Sequence, residues 1–199
     1  RLIILNTPHN PTGTVLNSCD IEALKQIVAG KKIYIIADEV YEHIIFDKVK
    51  HESICRCSEL LERSFVISSF GKTFHATGWK IGYCRAPAAL TKEFRKIHQF
   101  VNFTVSTPFQ MALADYLKCN LEFCDQLGSF YQAKRDYFCS LLSKSRFHVR
   151  PSQGTYFQLL DYSNISGELD VALSKEWTRK LGIASIPISV FYRKQPASP

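Results

Sequence analysis

Ser69, Lys72 and Lys80 stand within one short stretch, Ser68-Ser69-Phe70-Gly71-Lys72-Thr73-Phe74-His75-Ala76-Thr77-Gly78-Trp79-Lys80, directly after the apolar run Phe65-Val66-Ile67. A primary amine can condense with a carbonyl to form a Schiff base, while nearby hydroxyls and a second cation hold an anion. Together these groups are what a phosphorylated aldehyde cofactor requires. A lone loop lysine is usually just a surface charge. Here Gly71 and Gly78 lie around Lys72, and small residues let a bulky ring approach the backbone. An amine so placed can also shuttle a proton between two carbons, which contributes roughly 10²–10⁴ in rate. Ser69 and Lys80 are natural phosphate ligands, by hydroxyl and by charge. Lys80 alone would read as solvated, and His75 is read as structural.

Two upstream segments add complementary groups. Asp38 follows Ile33-Tyr34-Ile35-Ile36-Ala37. A carboxylate at the end of a buried strand is costly unless it has a partner. It is either a helix N-cap or local ion pair, or it faces a pyridinium nitrogen and keeps that nitrogen protonated, so that the ring acts as an electron sink. Tyr41 lies three residues on and shares a side with Asp38 if the chain turns helical there. Its phenol is an ordinary half-buried aromatic or a hydrogen-bond partner for a ring oxygen. Asn10, in His9-Asn10-Pro11-Thr12-Gly13, is turn chemistry or an amide donating to the same oxygen from the other side. Pro11 stiffens that loop, and a cis bond is open to it.

The elements that must position these groups follow from periodicity. Leu2 to Leu5, Ile33 to Ala37 and Phe65 to Ser68 read as buried strands, and Lys80 to Arg85 as a fourth. A helix is predicted from about Ile21 to Ala29, capped by Ser18 or Asp20 and closed by Gly30. Leu90, Phe94, Ile97 and Val101 recur at helical spacing. Thr107-Pro108 opens another helix, and Leu121 to Ser145 is a long amphipathic stretch. Phe147 to Val149 and Thr155 to Leu160 read as two strands about a turn at Gly154. Glu168 to Lys180 reads as a helix and Ile183 to Ile186 as a last strand. Strand and helix alternate first, which implies an α/β fold with a mostly parallel sheet and ligand chemistry at strand C-termini. A smaller α+β unit follows. The expected division is a large domain over 1–118, with its bridging helices, and a small domain over 119–199.

The chain has 199 residues, 46% hydrophobic and 22% charged, with a net charge of +7. The Lys and Arg residues are scattered without a stripe or block, so no nucleic-acid partner is expected. No apolar run reaches the length of a membrane helix, and no signal peptide is expected. The seven cysteines are irregularly spaced, and Cys55-Arg56-Cys57 is a poor zinc signature. No metal is expected, and reduced thiols in a cytoplasmic protein are. The chain starts at Arg1 inside an apolar run and stops at Ser198-Pro199. Both ends read as cut from a longer protein.

With these residues in hand, the chain resembles the class I/II pyridoxal-phosphate-dependent aminotransferases of fold type I, and within them the methionine and kynurenine (glutamine-transaminase-like) branch. Asn6-Thr7-Pro8-His9-Asn10-Pro11-Thr12-Gly13, Asp38-Glu39-Val40-Tyr41 and Ser69-Phe70-Gly71-Lys72-Thr73-Phe74 through Thr77-Gly78-Trp79-Lys80 carry the likeness, in the family's order. Gln153-Gly154-Thr155-Tyr156-Phe157 resembles its small-domain strand. Three ordered motifs together are far more specific than any one alone. The resemblance implies that Lys72 is the Schiff-base lysine and that Asp38 pairs with the pyridine nitrogen. It implies that Asn10 and Tyr41 hold the ring oxygen and that Ser69 and Lys80 hold the phosphate. Many family members have arginine in place of Lys80, whereas this branch commonly has lysine. Phe103 lies where the branch places an aromatic that reaches into the neighbouring subunit, which implies a homodimer. The implied reaction is transamination of a sulfur-containing, aromatic or kynurenine-like amino acid with a 2-oxo acid. A carbon–sulfur β-lyase shares Lys72 and Asp38 but often has His at the position of Tyr41. A non-catalytic, effector-sensing domain of a regulator is a third reading, against which the cofactor residues are intact. The family's substrate-carboxylate arginine lies beyond this chain, so the 199 residues alone are expected to be inactive.

Overall fold

In the computed structural model residues 1–194 are described, and the Ser198-Pro199 end lies outside them. Apolar runs, each with two β-branched residues, form β1 (Leu2–Asn6), β2 (Tyr34–Asp38) and β3 (Ser64–Ser69), which pair in parallel. β4 (Gly82–Arg85) closes the order β1-β2-β3-β4 and runs antiparallel to β3. The register sets Asn6 beside Asp38 and Asp38 beside Ile67, so the parallel strands end at one edge.

Side chains alternate across that sheet. Ile35 and Ala37 of β2 and Val66 of β3 are buried on one face, where Leu24 and Val28 of α1 (Ser18–Val28) cover them together with Ile54 and Leu60. Burying each large aliphatic side chain stabilises by roughly 1.5–3 kcal/mol. Asp38 is out of phase with Ile35 and Ala37 and so points to the opposite face. The start of α1 differs from expectation. Asn17 is its cap, accepting from the backbone N–H groups of Cys19 (2.8 Å) and Asp20 (3.2 Å), while the Asp20 carboxylate accepts from the Asn17 N–H (2.9 Å). Asp20 therefore completes a reciprocal capping box rather than acting as the cap itself.

Two one-turn helices, α2 (Ser58–Leu61) and α3 (Phe70–Thr73), flank β3. The longer helices α4 (Ala88–Val101), α5 (Thr107–Cys119) and α6 (Glu122–Leu142) follow β4. Among the described residues no helix is long and apolar enough to cross a membrane.

The chain divides into two compact units. The first holds residues 1–138 and 151–158, and the second residues 139–150 and those from 159 onward. Residues 119–138 thus pack with the part before the border expected at 118. Leu127 of α6 joins Tyr41, Ile44 and Phe46 in a second buried cluster, edged by Phe123, Tyr131 and Phe157. The buried Arg135 clamps the same region. Its guanidinium donates twice to Asp47 (2.6 and 2.8 Å) and to the Ser152 carbonyl (2.6 Å), and it lies 4.8 Å from the Phe46 ring centroid. Asp47 is half exposed, so only part of this counts fully. Arg135→Ala is expected to cost about 1–3 kcal/mol, read as a lower urea midpoint at unchanged slope. An unmoved midpoint would remove the clamp from the account.

The expected strand over Thr155–Leu160 is absent, and only Leu160–Asp161 is extended and paired. Gly154 is not a turn between strands but bridges to Ile45. The Phe46 N–H donates to the Gln153 carbonyl (2.8 Å) and the Thr155 N–H to the Ile44 carbonyl (2.9 Å). A Cβ on Gly154 would stand 2.8 Å from that same Ile44 oxygen, so only glycine allows the approach. Thr155 then adopts φ 66°, which breaks the extended run.

The second unit is a small α+β assembly. β5 (His148–Val149) pairs antiparallel with β6 (Leu160–Asp161), and α7 (Asp170–Leu181) ends at the left-handed Gly182. No strand forms over the predicted Ile183–Ile186. The Ile183 N–H turns back to the Trp177 carbonyl (3.2 Å), and Ile183 and Ile186 are both exposed.

Candidate active site

The C-terminal edge of the parallel strands gathers the polar residues singled out above. At the end of β1 the Asn6 amide donates to the Asp38 carbonyl (3.0 Å), and its oxygen accepts from the Asn10 N–H (2.7 Å). One side chain thereby ties the Asn10 loop to β2. Asn6 was not singled out in the sequence; its signal is an amide at a strand end four residues before Asn10. The Thr7–Pro8 and Asn10–Pro11 bonds are both cis.

Asp38 closes β2. Its Oδ1 accepts from the Val40 N–H (3.3 Å). Burial raises its pKa above the usual carboxylate value, while the Val40 bond and the Lys72 charge pull the other way. A carboxylate in this state favours a further cationic or N–H partner.

The chain after Asp38 is a turn, not a helix. The Glu42 N–H donates to the Glu39 carbonyl (2.9 Å) and the Ile44 N–H to the Tyr41 carbonyl (2.8 Å). Two acids pin it. The buried Glu39 accepts from the Ile54 N–H (2.9 Å) and meets His51 Nε2 at 2.9 Å. Glu42 accepts from the hydroxyls of Ser68 and Tyr83. Oxygens of Glu39 and Glu42 and a His51 nitrogen lie within 4.8 Å of one another. Glu39 and His51 are hydrogen-bonded to each other, while Glu42 ties the turn to Ser68 of β3 and Tyr83 of β4.

Tyr41 is itself buried. Burial pushes its phenol upward, as do the hydrogen bond to Tyr156 and the nearby Asp38 charge, while a hydrogen bond with Asn10 acts in the opposite sense. Lys72, on α3, donates from Nζ to the Tyr156 hydroxyl oxygen (3.1 Å) and stands 5.7 Å from the Tyr41 ring centroid. The Tyr41 hydroxyl donates to that same Tyr156 oxygen at 3.3 Å.

Asn10, Asp38, Tyr41 and Lys72 therefore converge. Ser69 closes β3 three residues before Lys72 and pairs in register with Gly82. Lys80 lies two residues before Gly82, exposed and left-handed at φ 54°. Both stand at the strand edge that carries Asp38. Phe103 stands apart at 84% exposure, and no bond or ring contact joins it to these residues among those described. His75 meets the Tyr131 hydroxyl at 3.2 Å and packs among Phe123, Phe130 and Tyr131. Tyr156, which touches both Lys72 and Tyr41, escaped the sequence reading as a site residue. Its segment was noted only as a strand.

The family model for aminotransferase class I and II matches residues 1–197. Methionine aminotransferase of Escherichia coli (strain K12) is 50% identical across 96% of this chain and 50% of its own length. Kynurenine–oxoglutarate transaminase of Dictyostelium discoideum is 35% identical across 96% of this chain and 49% of its own. The crystal structure of YbdL from Escherichia coli, identified as having a methionine aminotransferase function, superposes with a TM-score of 0.96 at 48% identity, covering all of this chain and 52% of that one. The chain spans about half the length of the curated relatives it matches.

Proposed function

This chain belongs to the class I and II aminotransferases, and on that premise we propose that the protein carries pyridoxal 5′-phosphate on Lys72 and transfers an amino group from an amino acid to a 2-oxo acid. The observation that carries this reading is one amine, Lys72 Nζ, set beside the phenols of Tyr41 and Tyr156 and within the electrostatic reach of the half-buried Asp38.

The donor set fits the group. Asp38, whose carboxylate burial disfavours, offers its charge to a protonated ring nitrogen. Asn10 and Tyr41 offer an amide and a phenol to a ring oxygen. Ser69 and Lys80 offer a hydroxyl and a cation to a phosphate at the strand edge. When bound, the cofactor supplies an electron sink for the bond broken at the substrate carbon. The chain supplies the rest. Lys72 provides the amine that binds the aldehyde covalently at rest and, once displaced by substrate, takes and returns a proton through Nζ. Asp38 holds its partner's proton in place, and Asn10 and Tyr41 fix the ring's orientation.

Methionine, or an aromatic or kynurenine-like amino acid, is the proposed donor, supported by the relatives' names. A homodimer is proposed, in which Phe103 reaches the partner's site. Its 84% exposure and that of Phe100 (85%) support an apolar contact there. A cytoplasmic location accords with seven free cysteines.

The test is an assay of the full-length protein with methionine, phenylalanine or kynurenine. Amino transfer that depends on an added 2-oxo acid is the expected result. With an amino acid that carries sulfur on its β-carbon, such as an S-alkylcysteine, release of the thiol, pyruvate and ammonia without an added acceptor would favour the β-lyase instead.

A further inference from the structure

Tyr156 is built into the site by an unusual piece of backbone. The residue before it, the fully buried Thr155, is β-branched yet holds φ 66°, a conformation such residues adopt only when their surroundings impose it. The surroundings are specific. The Thr155 N–H is bonded to the Ile44 carbonyl (2.9 Å), and its hydroxyl oxygen accepts from the Phe157 N–H (3.2 Å). The outcome is a Tyr156 ring held edge-on to Tyr41, with centroids 5.2 Å apart and planes at 86°, and packed against Tyr131 and Phe157. Its hydroxyl oxygen then accepts from Lys72 Nζ (3.1 Å) and from the Tyr41 hydroxyl (3.3 Å). Two donors thus converge on one phenol oxygen.

We propose that Tyr156 is a positioning residue for the reactive amine: its oxygen holds Lys72 Nζ against Tyr41 whenever that amine is not covalently engaged. The proposal rests on the reading of Lys72 as the reacting group. Lys72 meets three titratable groups from the elements packed around it, Asp38 on β2, Tyr41 on the following turn and Tyr156 on the 151–158 segment. Of these, Tyr156 makes the direct hydrogen bond. An amine released during turnover would otherwise lose its place through four rotatable bonds. Holding it keeps the proton carrier within reach of the reacting carbon.

The test compares wild type with Tyr156→Phe, which keeps the ring and its packing, and with Tyr131→Phe as control. In the cofactor-free full-length protein at fixed pH, acetic anhydride should label Lys72 about tenfold faster in Tyr156→Phe, as expected for loss of a hydrogen bond to a charged group. Other lysines, and the Tyr131→Phe protein, should label as in wild type. In the cofactor-loaded protein kcat should fall about tenfold while KM stays within about twofold. Equal Lys72 labelling in wild type and Tyr156→Phe would overturn the proposal. The labelling needs no cofactor, so faster labelling of Lys72 in Tyr156→Phe shows that Tyr156 holds the amine, whereas trapping of the cofactor on another lysine would overturn the reading of Lys72 as the reacting group and not that hold.

Discussion

Replacing Lys72 with alanine in the full-length protein is expected to lower amino transfer by at least ~10²–10⁴-fold, the contribution of a positioned proton carrier. The visible absorbance band should be lost with it, because among the described residues no other amine is bonded to Tyr156 beside Asp38. Folding should barely change. Lys72 is half-buried and its side chain is hydrogen-bonded to Tyr156, so stability should stay within about 1 kcal/mol. Lys72→Arg should be equally inactive, since a guanidinium keeps the charge but neither condenses with an aldehyde nor gives up its proton. Transfer by either variant within tenfold of wild type would remove Lys72 from the chemistry.

The second large effect is at Asp38, where activity and stability should move in opposite directions. Burial raises the carboxylate's folded-state pKa above its unfolded value. The charged form is therefore a cost to the cofactor-free fold above that folded pKa. The cost is relieved as pH falls through it, because the folded state then binds the extra proton. Asp38→Asn removes the charge and should leave the cofactor-free protein at least as stable at neutral pH. Cofactor affinity should nevertheless fall by about 10–10²-fold, the loss of one charge-assisted hydrogen bond. Turnover should fall about 10²-fold or more as the ring nitrogen loses its counter-charge. Wild-type affinity should weaken as pH drops through the window just above the ordinary carboxylate range, where Asp38 becomes neutral, and the variant should be flat there. Titration of the apoprotein with pyridoxal phosphate, followed by fluorescence, reads both effects. A variant that binds as tightly as wild type and keeps its pH dependence would contradict the role.

These two positions were legible because local signals agree there. Asp38 ends an apolar run whose alternation places it off the buried face, and Lys72 lies in a short helix directly after another such run. The parallel strands were legible for the same reason, since near-continuous apolar runs are the mark of a parallel sheet. What escaped depends on distant partners. Tyr156 reaches Lys72 only because residues 153–155 pair with 44–46, far earlier in the chain, and because Thr155 turns left-handed against its own preference. Ile183–Ile186 has the composition of a strand, but Gly182 and the Trp177 carbonyl redirect its start. At the head of α1 three capping residues compete, and the Asp20 carboxylate decides for Asn17 by bonding back to it. Asn6 ties the Asn10 loop to β2 through its amide, a role visible only once β1 and β2 are paired.

The most direct measurement is chemical trapping of the cofactor on the full-length protein. Borohydride should abolish the visible band of the loaded protein, and peptide mass mapping should then find the reduced pyridoxyl group on Lys72. A band that survives reduction, or a label carried by a different lysine, would contradict the account.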